Sequence, residues 1–276
     1  HADAGNPDPL WSRGLGDVYK RQVQRLSELR PDVVFNALHG RWGEDGSIQG
    51  LLEWLRIPYT HSGVMASALA MDKQRSKHIF SNSGLPTAPG FMIDKSGLLT
   101  SHPLDKPYVV KPINEGSSIG VYFVNPKEDP PLKVASDMPS ILMVEEYIPG
   151  RELTVTVMGK KALAVTDIIT QNWYDYDAKY KKGGSIHEVP AKIPKIIQEK
   201  CLEYALSAHE LIGCRGISRA DFRWDESLGL DGLILLEINT QPGMTPTSLV
   251  PEQAQICGIK FDDLCHWLVE DASCDR

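Results

Sequence analysis

The sequence predicts a mixed fold, an α/β unit leading into antiparallel sheets (α+β in kind). Three observations predict it. Residues 23–84 run strand, helix, strand, helix, the order of an α/β layer. Residues 108–169 hold five apolar runs joined by short loops, the pattern of antiparallel sheet. Residues 216–239 form a strand pair that carries its charge on one face only.

Taken in order, residues 1–22 (HADAGNPDPLWSRGLGDVYKRQ) have neither helical nor strand periodicity. The stretch "GLGDVYKRQ" resembles a translated sequencing adapter, so the segment is set aside as a non-native or disordered leader. "DVVFNAL" (32–38) is a short apolar run ending at the polar loop "HGRWGEDG", which predicts a buried parallel strand. Ile48, Leu51, Leu52 and Leu55 fall on one helical face. "IPYTHSG" is a short strand and turn, and "VMASALAMDKQRSKHIFSNSG" predicts one long helix stopped at Gly84. Strands follow at "YVVKP" (108–112), "VYFV" (121–124), "ILMVEEY" (141–147), "ELTVTVMG" (152–159) and "KALAVTDII" (161–169). The polar, aromatic-rich "QNWYDYDAKYKKGGS" (171–185) is a long loop. Residues 194–213 are a helix with Pro194 near its start and Gly213 past its end. "GISRADFRW" and "LILLEIN" are strands, and two short helices close the chain.

Composition narrows the function. The chain has 276 residues and a net charge of −7, from 29 basic and 36 acidic side chains. Such a balance disfavours general nucleic-acid binding, which needs clustered Lys and Arg. No apolar run approaches the roughly 18 residues of a membrane span, and no secretory signal is visible. Five cysteines (Cys201, Cys214, Cys257, Cys265, Cys274) lie scattered in the last third with no CxxC pair. That argues against a disulfide framework or zinc site and implies a reducing, cytoplasmic setting.

The strand pair is the most informative stretch. Arg219, Asp221 and Arg223 share one face of the first strand, and Glu237 and Asn239 share one face of the second. Leu236, Ile238, Ala220 and Phe222 take the other faces. In a hairpin Asp221 then meets Glu237 and Asn239. Two carboxylates and an amide oxygen, without His or Cys, make a hard-oxygen site suited to Mg²⁺ bound with substrate phosphates. The alternative is a solvated sheet face with Arg–Asp pairs; the "NTQPG" that follows favours the metal site. "NTQPGMTPTSL" itself is either a backbone-lined site edge or an ordinary strand-to-helix loop. "KPINEGSSIG" (111–120) places Lys111 at a strand end before Gly116, Ser117 and Ser118. It is either a Gly-Ser hairpin tip or a flap whose N–H and hydroxyl groups wrap phosphate oxygens.

Together these motifs resemble the D-alanine–D-alanine ligase family of the ATP-grasp fold. The resemblance rests on six stretches in order: 39–73, "VVKPINEGSSIGV", "VEEYIPGRELTV", "YDYDAKY", "SRADF" and "LLEINTQPGMTPTSLVP". It implies an ATP-grasp fold with two antiparallel sheet subdomains enclosing ATP. Its divisions would be a leader at 1–22, a truncated Rossmann-like unit at 23–72, a central subdomain at 73–150 and a C-terminal subdomain at 151–276. A lid loop would span 171–185. The resemblance implies that Lys73, Lys111 and Lys179 contact ATP, with Ser117 and Ser118 in the flap. The backbone at Glu145, Glu146 and Tyr147 would take the adenine edge and Glu152 the ribose. Asp221, Glu237 and Asn239 would hold two Mg²⁺, with Mn²⁺ as an alternative ion.

It implies further that one D-alanine carboxylate attacks the γ-phosphate, and that the amine of a second D-alanine displaces phosphate from the acyl phosphate. Arg219 and the Gly243 backbone would steady the oxyanion. Tyr180 of the lid would hydrogen-bond toward Ser117 and favour a dipeptide over an ester product. Ser248 and Leu249 would border the second alanine and His39 the first, although His39 alone fits a structural role equally. The family's opening strand and substrate-binding glutamate have no match in residues 1–22, which implies an incomplete first-substrate site and poor ligation. Another ATP-grasp ligase and a non-catalytic ATP-binding remnant are the other classes. A homodimer through the N-terminal unit is implied as well, with no membrane or nucleic-acid partner.

Overall fold

The computed structural model describes residues 23–116, 120–170, 185–245 and 248–274. The leader and nearly all of the lid loop lie outside the described residues. After a helical stretch at 23–29 come α1 (Ser47–Leu55), α2 (Val64–Met71) and α3 (Lys73–Asn82). Ile48 and Leu52 of α1 pack with Ile57 and Tyr59, and Leu51 and Leu55 flank them, as the apolar spacing predicts.

Two expectations fail here. The strand at 32–38 is reduced to one parallel bridge, Val34 to Tyr59. Phe35 is 36% exposed and Leu38 41%. With a single ladder partner among the described residues, the run has no sheet to bury it. The single long helix is two helices. Asp72 breaks it with extended backbone (φ −84°, ψ 95°), and its side chain accepts a hydrogen bond from the Arg75 amide, 3.0 Å. An Asp at that place caps a new helix rather than continuing the old one. Gly84 then follows α3 in the left-handed conformation.

The next chain segment builds a four-stranded antiparallel sheet in the order β1-β4-β2-β3. Its strands are β1 (Gly90–Asp94), β2 (Tyr108–Lys111), β3 (Tyr122–Val124) and β4 (Ile141–Glu146). Tyr108, Val110, Val124, Leu142 and Val144 form its core with Leu98. The second sheet is five-stranded, β7-β6-β5-β8-β9, from β5 (Arg151–Met158), β6 (Lys161–Ile169), β7 (Ile186–Glu188), β8 (Ile217–Trp224) and β9 (Leu233–Asn239). Helix α4 (Lys195–Ile212) covers one face. Its buried Ile197, Cys201, Ala205, Ala208 and Ile212 recur every three or four residues, the stripe of an amphipathic helix. Phe80 from α3 and Leu153, Phe222 and Leu235 from the sheet join them in one core.

Helices α5 (Leu249–Ile256) and α6 (Phe261–Asp271) close a smaller core with Leu163 and Ile217. Helix α5 is docked by buried Gln253. Its Oε1 accepts from the Thr156 amide (2.7 Å), and its Nε2 donates to Thr166 Oγ1 (3.0 Å) and the Thr154 carbonyl (3.2 Å). Thr156 sits where the β5–β6 register shifts, so Gln253 satisfies a backbone group that the bulge releases. The linker before β1 is fixed too. The Leu235 amide donates to the Pro86 carbonyl, 2.8 Å, and Thr87 bridges Leu235 in parallel.

Candidate active site

Strands β8 and β9 pair Arg219 with Asn239 and Asp221 with Glu237, so the predicted hairpin forms and its polar residues meet. One detail differs. Leu236 does not share the face of Ile238; the register shifts between Asp221 and Phe222, so that Phe222 pairs with Leu235. Leu236 is the extra residue of a β-bulge. Strict alternation would send Glu237 to the side of Leu233 and Leu235, both fully buried. The bulge turns Glu237 and Asn239 to the opposite side while Ile238 rejoins the core.

Asp221 is tightly held. Arg219 donates Nε to its Oδ1 (2.8 Å) and a terminal nitrogen to its Oδ2 (2.7 Å). Thr154 Oγ1 donates to Oδ1 (2.7 Å) and Asn239 Nδ2 to Oδ2 (2.9 Å). The Arg–Asp pair of the solvated-face reading is therefore present, but on a face that lines a cleft. A small open cleft is lined by Glu44, Lys73, Glu115, Gly116, Glu237, Asn239 and Thr240. Lys73 is buried at the start of α3. Its Nζ donates to the Glu115 carbonyl (2.6 Å) and lies 3.3 Å from Glu237. Glu44 accepts from the Gly40 amide, 2.7 Å. Burial raises its pKa, Glu237 adds to this, and the Gly40 amide, His39 and Arg219 oppose it.

The N-terminal loop is stapled to the loop after β9. Asn36 Nδ2 donates to Gln241 Oε1, 3.0 Å, and Gln241 Nε2 returns a bond to the Asn36 carbonyl. His39 Nδ1 lies 3.1 Å from the Gln241 carbonyl. Further along, a Cβ at Gly243 would come within 2.9 Å of Ser248 Oγ, so only glycine fits this approach without a shift. Ser248 Oγ accepts from the Thr245 amide, 3.1 Å. Buried Leu249 opens α5 beside it.

The four-stranded sheet contributes a second cluster. Glu145 is 4% exposed and receives Lys77 on Oε1 and Lys111 on Oε2. Burial alone would raise the Glu145 pKa, but Lys111 and Lys77 outweigh it and hold the carboxyl low. Burial lowers the Lys77 pKa, with Lys111 assisting and Glu145 opposing. Tyr147 stacks edge-on against half-exposed Phe123, ring centres 4.8 Å apart. Arg223 spans this wall, donating to the Ile148 carbonyl (3.1 Å) and lying 3.6 Å from Glu152. The Glu146 and Tyr147 amides donate to the Pro89 and Pro107 carbonyls (2.9 and 3.0 Å). Lys106 pairs with Glu146 at 2.5 Å.

Lys73, Arg219, Asp221, Glu237 and Asn239 thus come together, Lys111 joins Glu145, and His39 reaches the loop that carries Gly243. Ser117, Ser118, Lys179 and Tyr180 lie outside the described residues, as does the expected Tyr180–Ser117 contact. Sequence reasoning passed over Glu44, Lys77, Thr154 and Gln241. Two of these carried a signal: the acidic "GEDG" beside His39, and a second lysine one helical turn after Lys73.

Among the described residues no three His, Cys, Asp or Glu side chains gather as a metal site. The donor set is instead two carboxylates and an amide on one strand-pair face. Hard oxygens at the edge of an open cleft fit Mg²⁺. Asn239 commits its Nδ2 to Asp221, so its oxygen is the atom a cation would use. Arg219 and Lys73 now balance charge that such a cation would share.

Residues 79–270 match the family profile described as D-ala D-ala ligase C-terminus, and residues 13–62 match D-ala D-ala ligase N-terminus. A D-alanine--D-alanine ligase of Cereibacter sphaeroides is 65% identical over 251 residues, 91% of this chain and 82% of that protein. One from a Ruegeria species is 62% identical over 254 residues, 92% and 83% of the two chains. Among solved structures, the D-alanine--D-Alanine ligase from Bacillus anthracis complexed with ATP is similar with a TM-score of 0.72 and 29% identity. That likeness covers 90% of this chain and 82% of the other.

Proposed function

The chain belongs to the D-alanine–D-alanine ligase family and joins two D-alanines in an ATP-dependent reaction for peptidoglycan precursors; from that premise we propose how the residues of its cleft divide the work. Lys73 and Lys111 hold the triphosphate, since both are buried ammonium groups at fixed element ends. The wall of Phe123, Tyr147 and Glu152 takes the adenosine. The Glu146 and Tyr147 amides are already donated within the protein, so the base meets other groups of that segment.

Asp221, Glu237 and Asn239 would hold Mg²⁺, which when bound offsets charge on the transferring phosphoryl group. His39, steadied by the Gln241 carbonyl, borders the first D-alanine. Its carboxylate attacks the γ-phosphate and gives an acyl phosphate with release of ADP. Ser248 and Leu249 border the second D-alanine, whose amine attacks the acyl carbon. Arg219, oriented by its fork on Asp221, and the Gly243 backbone steady the oxyanion until phosphate leaves. Ser117, Ser118, Lys179 and Tyr180, outside the described residues, are assigned to ATP binding and to keeping water from the acyl phosphate. Scattered free cysteines support a cytoplasmic setting.

The observation that carries this reading is the polar face of the β8–β9 hairpin, with Asp221 opposite Glu237 and Lys73 3.3 Å from Glu237. The test is D-alanine-dependent ADP release across a Mg²⁺ titration. Asp221→Asn is expected to lower kcat by about 100-fold or more, since the metal supplies several kcal/mol of charge stabilisation. Parent-like turnover, or activity without added Mg²⁺, would overturn the metal assignment.

A further inference from the structure

Helix α3 carries two buried lysines one turn apart, and at that spacing both lie on one helical face. Lys73 turns to the cleft and Glu237. Lys77 reaches the four-stranded sheet instead, where it meets Glu145 together with Lys111. The Glu145 carboxylate is thus shared, one oxygen for each ammonium. The two attachments differ. Lys77 is also anchored to the Ala88 carbonyl, 2.6 Å. Lys111 ends β2 at the edge that leads into the 111–120 stretch.

Two ammonium groups on one buried carboxylate leave one positive charge in excess. An incoming phosphate is the natural partner for it. If Lys111 swings to the phosphate, Glu145 must keep a counter-ion, because an unpaired carboxylate in this environment is strongly disfavoured. We propose that Lys77 is the standing counter-ion of Glu145 and so frees Lys111 to engage the triphosphate of ATP. Lys77 acts as a positioning residue, through Glu145 and Lys111, and touches no substrate. This rests on Lys111 being a phosphate ligand, as assigned above.

The full chain and five variants test it, with ATP affinity read by calorimetry and turnover by D-alanine-dependent ADP release. Lys77→Met leaves Lys111 as the sole counter-ion of Glu145. The affinity for ATP is expected to fall about tenfold or more, with KM for ATP rising more than kcat falls. Lys77→Arg is expected to restore most of the loss. The decisive variant is Lys77→Met combined with Glu145→Gln. Removing the carboxylate releases Lys111, so ATP affinity returns to within about threefold of the parent, a coupling that only interacting groups give. If the double variant stays as weak as Lys77→Met, the proposal is overturned. Should Lys77→Met not accumulate folded, Glu145→Gln alone decides. ATP binding at least as tight as the parent supports the release of Lys111, and a tenfold weakening overturns it. Lys111→Met separates the two readings. Undiminished ATP affinity there sinks the phosphate-site assignment itself. A weakened Lys111→Met without rescue in the double variant sinks only the role of Lys77.

Discussion

At the scale of single residues, the buried ionisable groups fall into those with partners that hold the charge and those that stay neutral. Glu145 is of the first kind. His209 and His61 are of the second. His209 is 4% exposed with Nδ1 2.7 Å from Ser218 Oγ, and burial depresses its pKa from 6.5 to about 4. His61 is likewise held down to about 4 by burial, with His39 and Arg215 adding to this. The unfolded imidazoles titrate at 6.5. Between pH 6.5 and 4 the unfolded chain binds protons that the folded chain refuses, so stability is intact above that window and falls as pH drops through it. At pH 5 each histidine contributes a loss of about 2 kcal/mol. Urea unfolding at pH 7.5 and pH 5 reads this directly. His209→Asn is expected to flatten the pH dependence by about one histidine's share; an unchanged slope between the two pH values would refute it.

At the scale of elements, most strands of the two sheets were readable, β2 to β6 and β9 as largely apolar runs between polar turns and β8 by its alternation of polar and apolar residues. Helix α4 was readable from its stripe and from Gly213, whose left-handed φ of 76° ends it. Three elements were hidden for local reasons. β1 is only Gly90–Asp94 and pairs along its whole length with β4; its strand character comes from that partner. β7 is three residues at the far side of the aromatic loop. The break at Asp72 lay inside an uninterrupted helical period, and only the capping preference of Asp in mid-pattern announced it. That break sets the first residue of α3 to be Lys73, whose own amide donates to the Ile113 carbonyl, 3.2 Å. Asp72→Ala is expected to cost about 1 kcal/mol of stability through the lost cap. Its ion pair with Arg75 adds little, because Arg75 is 73% exposed. A urea midpoint equal to the parent's would show that tertiary packing alone sets the break.

At the scale of the whole molecule, the cleft draws on the Glu44 loop, α2, α3, the stretch at Glu115 and β9, segments spread from Glu44 to Thr240 of the chain. The hairpin residues were legible because strand alternation alone predicts their common face. The bulge at Leu236 was not, since nothing in "LILLEIN" distinguishes an extra residue from a regular one. Glu44, Lys77 and Gln241 owe their places to contacts between distant segments, which no local pattern encodes. A ligand gripped by so many elements should bind the folded state alone. ATP with Mg²⁺ at about 100 times its Kd is therefore expected to add about 2.7 kcal/mol of stability, read as a rise in Tm. Chelating the Mg²⁺ should remove most of that rise, and a shift indifferent to chelator would count against a shared metal. The tie between Pro86, Thr87 and Leu235 has one more consequence. Strand β9 is the outermost of its sheet, and a long unpaired rim invites strands of other molecules to dock edge to edge. By laying its own linker along Leu235, the chain occupies part of that rim itself, and so guards against self-aggregation the strand that bears Glu237 and Asn239.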